Sequence, residues 1–245
     1  MLAKVLSAAI VALDAVLIEV EVDIASRGLP TFTIVGLPDK AVEEAKERVR
    51  AALRNTGSDF PARRITVNLA PADFPKEGPT YYLPIAVGIL MASGQLEANI
   101  DDALIIGELS LTGLLRPTTG MLTYALLAQK ENLTKLFIPE KNAHEASIID
   151  SITIYPTPSL SKLLLHFTSD NTLSPMQHTT LADHQKETVF DYDMQEIKGQ
   201  HQAKRAFEIA ASGAHNILLK GPPGAGKTLL ARTLPSILPD LTLSE

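Results

Sequence analysis

The residues best suited to chemistry lie near the end of the sequence, where an apolar run meets a glycine-rich loop. Residues 217–228 are ILLKGPPGAGKT and match G-x-x-x-x-G-K-[ST], the pattern of phosphate-binding loops in nucleotide-binding ATPases. Glycines allow the backbone to bend until its N–H groups converge on phosphate oxygens. The lysine adds a positive charge for the β- and γ-phosphates, and the threonine hydroxyl is a ligand for Mg²⁺.

This motif predicts a binding site for ATP and Mg²⁺, with Thr228 as the metal ligand. Apolar Ile217–Leu219 predicts a buried strand before the loop, and a helix that opens at Lys227 directs its positive end at the same phosphates. The alternative for the motif alone is a surface turn rich in glycine and proline. The predicted nucleotide-binding residues are Gly221, Pro222, Pro223, Gly224, Ala225, Gly226, Lys227 and Thr228.

The residues after Thr228 do not supply the other groups that a phosphate-loop ATPase uses. Such enzymes also need a strand that ends in acidic residues, and usually an arginine at the γ-phosphate. The last residues are ARTLPSILPDLTLSE, which predicts a helix that ends near Pro239 and then a loop. We therefore expect this chain to bind ATP without hydrolysing it at a meaningful rate. We interpret it as the first part of a longer protein or as the product of a split gene.

Composition indicates a soluble, cytoplasmic protein with a substantial core. The chain has 245 residues, 45% of them hydrophobic, and no cysteine, which excludes disulfides and thiolate metal sites. Its net charge of −6 does not favour general attraction to nucleic acid. The apolar N-terminus is interrupted by Asp14 and Glu19, and residues 16–24 alternate with period two, which predicts a half-buried strand and not a signal peptide. We expect no membrane association, because no run approaches the ~18 apolar residues of a membrane span.

The elements expected to position these groups fall into two parts. Residues 1–168 predict an α/β (α+β) domain with a mixed sheet, because strand-like and helix-like patterns alternate along them. The clearest helix begins after the capping residue Asp39 and continues to about Asn55. The other predicted elements are strands at 16–24, 31–35, 64–69, 103–109, 114–116, 135–138 and 152–155, and helices at 83–93, 121–131, from about 140, and at 159–167.

The second part begins after a polar stretch. Residues 169–190 are rich in Ser, Thr, Asn, Asp and Gln, which predicts a linker between domains. Residues 191–245 predict a helix at 201–212, then the strand and the phosphate loop. Fewer than 60 residues cannot cover a phosphate-loop strand on both faces, so we expect this segment to be marginally stable alone.

Most of the chain resembles the YifB/ComM family of magnesium-chelatase-like AAA+ ATPases. The resemblance is carried by IVGLPDKAVEEAKERVRAALRNTGSDFPARRITVNLAPADFPKEGP, LPIAVGIL, GELSLTGLLRP and IKGQHQAKRAFEIAASGAHNILLKGPPGAGKT. It implies an N-terminal domain related in fold to the Lon protease domain and ribosomal protein S5, followed by the beginning of an AAA+ module. It places residues 197–200 near the adenine, and it implies a homo-hexamer and, for the ComM branch, branch migration of DNA. One departure is Thr80-Tyr81-Tyr82, where the family usually has Arg, an aromatic residue and Asp.

The resemblance to Lon raises the question of a peptidase. Residues 75–82 align with the Lon motif Pro-Lys-Asp-Gly-Pro-Ser-Ala-Gly and place Thr80 at the nucleophile position. The catalytic lysine of Lon follows a turn that aligns with residues 119–121, and the next residue here is Leu122, which cannot accept a proton. The nearest lysine downstream is Lys130. We therefore predict a protease-like scaffold without peptidase activity.

Two further interpretations stay open. The densest basic cluster is consistent with contacts to DNA phosphates, but acids early and arginines late in the helix at 39–55 also match the helix dipole. The alternative function for the whole chain is a non-catalytic interaction or assembly module with a vestigial phosphate loop. The members of the basic cluster are Lys46, Arg48, Arg50, Arg54, Arg63 and Arg64.

Overall fold

A computed structural model describes residues 2–169, 173–180, 183 and 190–239. The chain divides into two compact units, Met1–Thr180 and Leu181–Glu245. Half of the predicted linker at 169–190 falls outside the described residues. Its described part includes Met176, whose N–H donates to the Ile154 carbonyl in the first unit at 2.8 Å. The domain boundaries at 168 and 191 stay predictions.

The first unit begins with a long hairpin. Strands β1 (Leu2–Val11) and β2 (Asp14–Ile24) are antiparallel, with register from Leu2 opposite Asp23 to Val11 opposite Asp14. The turn consists of Ala12, with φ of 58°, and Leu13, which is 91% exposed. The predicted strand at 16–24 is confirmed as part of β2. The separate strand β1 was not predicted, because its apolar residues do not alternate and its turn lacks glycine or asparagine.

A mixed seven-stranded sheet organises the first unit. Its order is β3-β4-β2-β1-β5-β8-β9, with β2 antiparallel to both neighbours and the other pairs parallel. A separate hairpin pairs β6 with β7. The predicted mixed sheet is confirmed. The remaining strands are β3 (Thr31–Val35), β4 (Arg64–Ala70), β5 (Ala103–Ile105), β6 (Glu108–Leu109), β7 (Leu115–Arg116), β8 (Lys135–Pro139) and β9 (Thr153–Thr157).

Helices cover both faces of this sheet. Successive residues of β5 and β8 alternate between two apolar cores: Ile105 and Phe137 lie in one, and Leu104 and Leu136 in the other. The first core holds the buried faces of α1 and α2, and the second holds those of α3 and α4. The helices of this unit are α1 (Lys40–Asn55), α2 (Tyr82–Ala92), α3 (Met121–Lys130), α4 (Ala143–Ala146) and α5 (Leu160–Thr168), with 3₁₀ turns at Pro79–Tyr81 and Glu140–Asn142.

Local sequence signals account for the best-defined helices. Asp39 caps α1 as predicted, since its carboxylate accepts a hydrogen bond from the Val42 N–H at 2.7 Å. Helix α2 is apolar on all sides, and ten of its 11 residues are buried, so it packs as an interior helix. Among the described residues, no helix is long and apolar enough to cross a membrane.

The second unit is small and helical in its described part. Helix α6 (His201–Ser212) agrees with the predicted bounds, and helix α7 (Lys227–Arg232) is followed by a 3₁₀ turn at Leu234–Ile237. A further 3₁₀ turn covers Met194–Glu196. Met194, Phe207 and Leu230 form the core.

The prediction of a buried strand at Ile217–Leu219 is wrong. These residues belong to no strand, and Leu218 is 90% exposed while Ile217 and Leu219 pack against the small core. A strand requires a hydrogen-bonded neighbour, and none lies beside them in the described part of the chain. One side of the segment 217–219 therefore packs against the core, and the other side is exposed to solvent.

Candidate nucleotide-binding site

The predicted phosphate loop is a compact turn that leads directly into α7. Gly224 and Gly226 have φ of 78° and 76°, a region that side chains with a Cβ rarely adopt. The carbonyl of Gly226 accepts the Leu230 N–H at 2.9 Å, so the helix begins immediately after the second of these residues. The glycines at these two positions are needed for the shape of the loop.

Lys227 holds the loop together from the inside of the turn. Its ammonium donates to the Gly221 carbonyl at 2.9 Å and to the Pro222 carbonyl at 2.7 Å. An ammonium has three N–H donors, so one remains for an external acceptor. The lysine thus links the beginning of the loop to the helix and keeps a positive charge at the loop.

Thr228 is exposed beside this lysine. A hydroxyl is a hard oxygen ligand of the kind that Mg²⁺ accepts, together with phosphate oxygens and water. The described residues contain no group of three or more His, Asp or Glu side chains arranged to hold a metal ion.

A cavity of about 460 Å³ adjoins the loop, within the usual size range of small-molecule sites. One wall is the loop with Leu229 and Leu230, and the other is formed by residues 196–200 with Ala203. Three lysines and one acid contribute charged side chains to the lining, which favours an anionic ligand. These residues are Lys198, Lys220, Lys227 and Glu196.

The second wall is held by the turn that follows α7. The Met194 N–H donates to the Ser236 hydroxyl at 3.0 Å, and the buried Thr233 hydroxyl donates to the Met194 sulfur at 3.5 Å. Gln200, with φ of 54°, then turns the chain into α6. Sequence reasoning did not find Thr233 and Ser236, because neither occupies a motif position and their contacts are long-range.

The predicted protease-like position lies in a packed part of the first unit. The Thr80 carbonyl accepts the Gly107 N–H at 3.0 Å, and the Leu122 N–H donates to the Glu145 carboxylate at 3.1 Å. Lys130 is exposed at the end of α3. Lys76 is fully buried, and its ammonium donates to the carbonyls of Phe74, at 2.9 Å, and Pro71.

Burial lowers the pKa of Lys76, although the charge of Asp73 acts in the opposite direction. The two carbonyl contacts hold the ammonium inside the loop that precedes Thr80. Lys76 therefore has a structural role in the observed conformation, because it fixes the loop through these two carbonyl groups.

Two family descriptions match the chain. Residues 20–142 match the family described as "Subunit ChlI of Mg-chelatase", and residues 193–245 match "Magnesium chelatase, subunit ChlI". The second match contains the phosphate loop and both walls of the cavity.

Several curated proteins resemble the chain. Competence protein ComM of Haemophilus influenzae is 44% identical over 248 residues, which cover 98% of this chain and 47% of that protein. The uncharacterized protein YifB of Escherichia coli is 42% identical over 93% of this chain and 44% of its own length. A Lon protease of Mycolicibacterium smegmatis is 26% identical over 57% of this chain and 19% of its own length. The chain spans about half the length of ComM and YifB.

Proposed function

The chain belongs to the magnesium-chelatase-like YifB/ComM family, and we propose that its second unit binds ATP with Mg²⁺ at Gly221–Thr228. The observation that carries this proposal is the lysine-rich cavity built on the loop, with Lys227 anchored at its base. In this proposal the chain binds the nucleotide and does not turn it over.

The residues of the site fit a triphosphate. Gly224 and Gly226 have the positive φ values typical of anion-binding turns, and Lys227 supplies a charged donor next to them. The Thr228 hydroxyl would hold Mg²⁺, which neutralises phosphate charge when it is bound. The apolar side chains of Ile197 and Leu230 provide the part of the cavity suited to a base.

For the whole protein we propose an AAA+ ATPase that assembles as a homo-hexamer and acts on DNA. The support is the family membership and the name of the relative ComM, a competence protein. A role in branch migration of DNA during competence is the corresponding proposal for the process. Turnover of ATP by the longer protein is part of the same proposal.

An assembly module with a vestigial loop is the second candidate. The exposed Leu218 favours it, because an unpaired apolar segment next to the loop provides a surface for another chain. The two candidates differ in their response to nucleotide, since only a binder is stabilised by it.

Thermal unfolding with and without Mg-ATP separates these candidates. A ligand present at 100 times its Kd adds about 2.7 kcal/mol of stability to the folded site. We expect the purified chain to unfold a few degrees higher with Mg-ATP. Lys227→Ala should lose this shift, while Arg205→Ala, which removes one exposed positive charge outside the cavity, should keep it. An equal shift in both variants, or none in the unmodified chain, would contradict nucleotide binding at the loop.

A further inference from the structure

A cluster of arginines in the first unit surrounds a cleft that the nucleotide site does not use. Arg50, Arg54 and Arg63 line one cavity of about 260 Å³ with the side chain of Phe60. Pro30 and Thr31 close it at the beginning of β3, the edge strand of the sheet. The cleft therefore lies where α1 ends and the edge of the sheet begins.

Helix electrostatics do not account for all of this positive charge. Two arginines of α1 have acidic partners on the same helix, with Arg48 at 3.8 Å from Glu44 and Arg50 at 3.3 Å from Glu47. Arg54 and Arg63, by contrast, form no ion pair with any described residue, and both are exposed.

Arg50 is held in place at the wall of the cleft. Its guanidinium lies 4.9 Å from the centre of the Phe60 ring, and Phe60 packs on Phe32 with ring centres 5.8 Å apart. Its Nε is buried and has no hydrogen-bond partner among the described residues. A buried N–H without a partner costs stability, so the packing on Phe60 holds Arg50 in this position.

The shape of the surface indicates an extended ligand. A second hollow, of about 530 Å³, shares Pro61 and Arg63 with the first, so Arg63 lies between two neighbouring depressions. The second hollow also contains Asp59 and uncharged polar side chains such as Ser93 and Gln95. The first cleft is smaller than most ligand pockets and suits one phosphate group with its sugar.

We propose that this arginine cleft binds the phosphodiester backbone of a nucleic acid strand, with Arg54 and Arg63 as the principal phosphate contacts. Guanidinium groups present planar, paired donors that match phosphate oxygens. The contact is to the backbone and does not depend on base sequence. It is independent of ATP at the phosphate loop, which lies in the other unit.

Salt dependence of DNA binding gives a direct test. A fluorescent single-stranded oligonucleotide is titrated with the purified chain, followed by anisotropy. Each phosphate contact contributes about 0.7 to the slope of log K against log salt, so Arg54→Gln/Arg63→Gln should lower the slope by about 1.4. Between about 50 and about 200 mM salt, binding by the unmodified chain should then weaken about sevenfold more than binding by the double variant.

A matched control removes the same charge elsewhere on the first unit. Lys130→Gln/Lys141→Gln changes two exposed lysines outside both hollows and should leave the slope unchanged. Lys227→Ala should bind DNA normally, so failure of ATP binding and failure of this proposal are distinguishable. Both arginine positions are exposed, and circular dichroism should show that the double variant is folded.

Three results would overturn the proposal. One is no binding of the oligonucleotide by the unmodified chain at low salt. Another is an equal decrease in the slope of log K against log salt in the lysine control and in the arginine double variant, which would assign the effect to net charge. The third is displacement of the oligonucleotide by inorganic phosphate or polyglutamate at an equal concentration of negative charges, which would assign the cleft to a free anion or an acidic protein.

Discussion

Two adjacent tyrosines provide a sharp test of the packing in front of α2, because only one of the two Tyr→Phe substitutions should lower the stability of the chain. Tyr82 is 2% exposed, and its hydroxyl donates to the Ala41 carbonyl in α1 at 2.7 Å. Tyr81 is fully buried, and its hydroxyl has no partner among the described residues. Burial raises the pKa of Tyr81, so this hydroxyl stays protonated.

The magnitudes follow from these two environments. Tyr82→Phe removes a buried hydrogen bond and should lower the free energy of unfolding by about 1 kcal/mol. Tyr81→Phe removes a group that costs roughly 1–3 kcal/mol to bury unpaired, partly offset by the small gap left behind. We therefore expect the Tyr81 variant to be unchanged or up to about 1 kcal/mol more stable than the unmodified chain.

Urea unfolding followed by circular dichroism measures this difference. With a slope of about 2 kcal/mol per molar urea, the midpoints of the two variants should differ by about 0.5–1 M, with the Tyr81 variant higher. A Tyr81→Phe midpoint at or below that of Tyr82→Phe would refute the reasoning.

Three other predictions concern the two units. Burial lowers the pKa of Lys76 below its ordinary value of 10.5, so the unfolded state binds more protons than the folded state at pH values between the folded and unfolded pKa. The stability of the unmodified chain relative to Lys76→Met should therefore rise with pH in this range. A stability difference that does not change with pH would contradict this. Gly88→Ala places a Cβ 2.6 Å from a methyl of Val22 and should cost about 1–2 kcal/mol. If this contact is the cause, the same substitution should cost less in a Val22→Ala background, and an equal cost there would contradict it. Hydrogen exchange at Ile217–Leu219 should be fast, since these residues form no strand, and strong protection there would show a stably folded second unit.

Local patterns predicted most of the first unit. The helix after Asp39 combines a capping carboxylate with an apolar stripe, and both signals are confirmed. The errors concern strand pairing. Strand β1 was missed because its turn at Ala12 and Leu13 carries no glycine, and the strand at 217–219 was predicted from apolar residues that have no hydrogen-bonded neighbour in the described part of the chain.

The candidate site was predictable only in part. The motif identified the loop, and the structure adds the contacts of Lys227 with Gly221 and Pro222. On the opposite wall, residues 197–200 came from the family resemblance, since no spacing rule connects them to the loop. Its support by Ser236 depends on a long-range contact that periodicity does not reveal.

Calorimetric titration of the purified chain with ATP tests the central claim most directly. We predict saturable binding at one site per chain in the presence of Mg²⁺, lost in Lys227→Ala and retained in Arg205→Ala. Removal of Mg²⁺ should weaken binding to the unmodified chain but have little further effect on Thr228→Val, because that variant has no metal ligand at the loop. No heat of binding with Mg²⁺, or equal binding by Lys227→Ala, would contradict a nucleotide site at Gly221–Thr228.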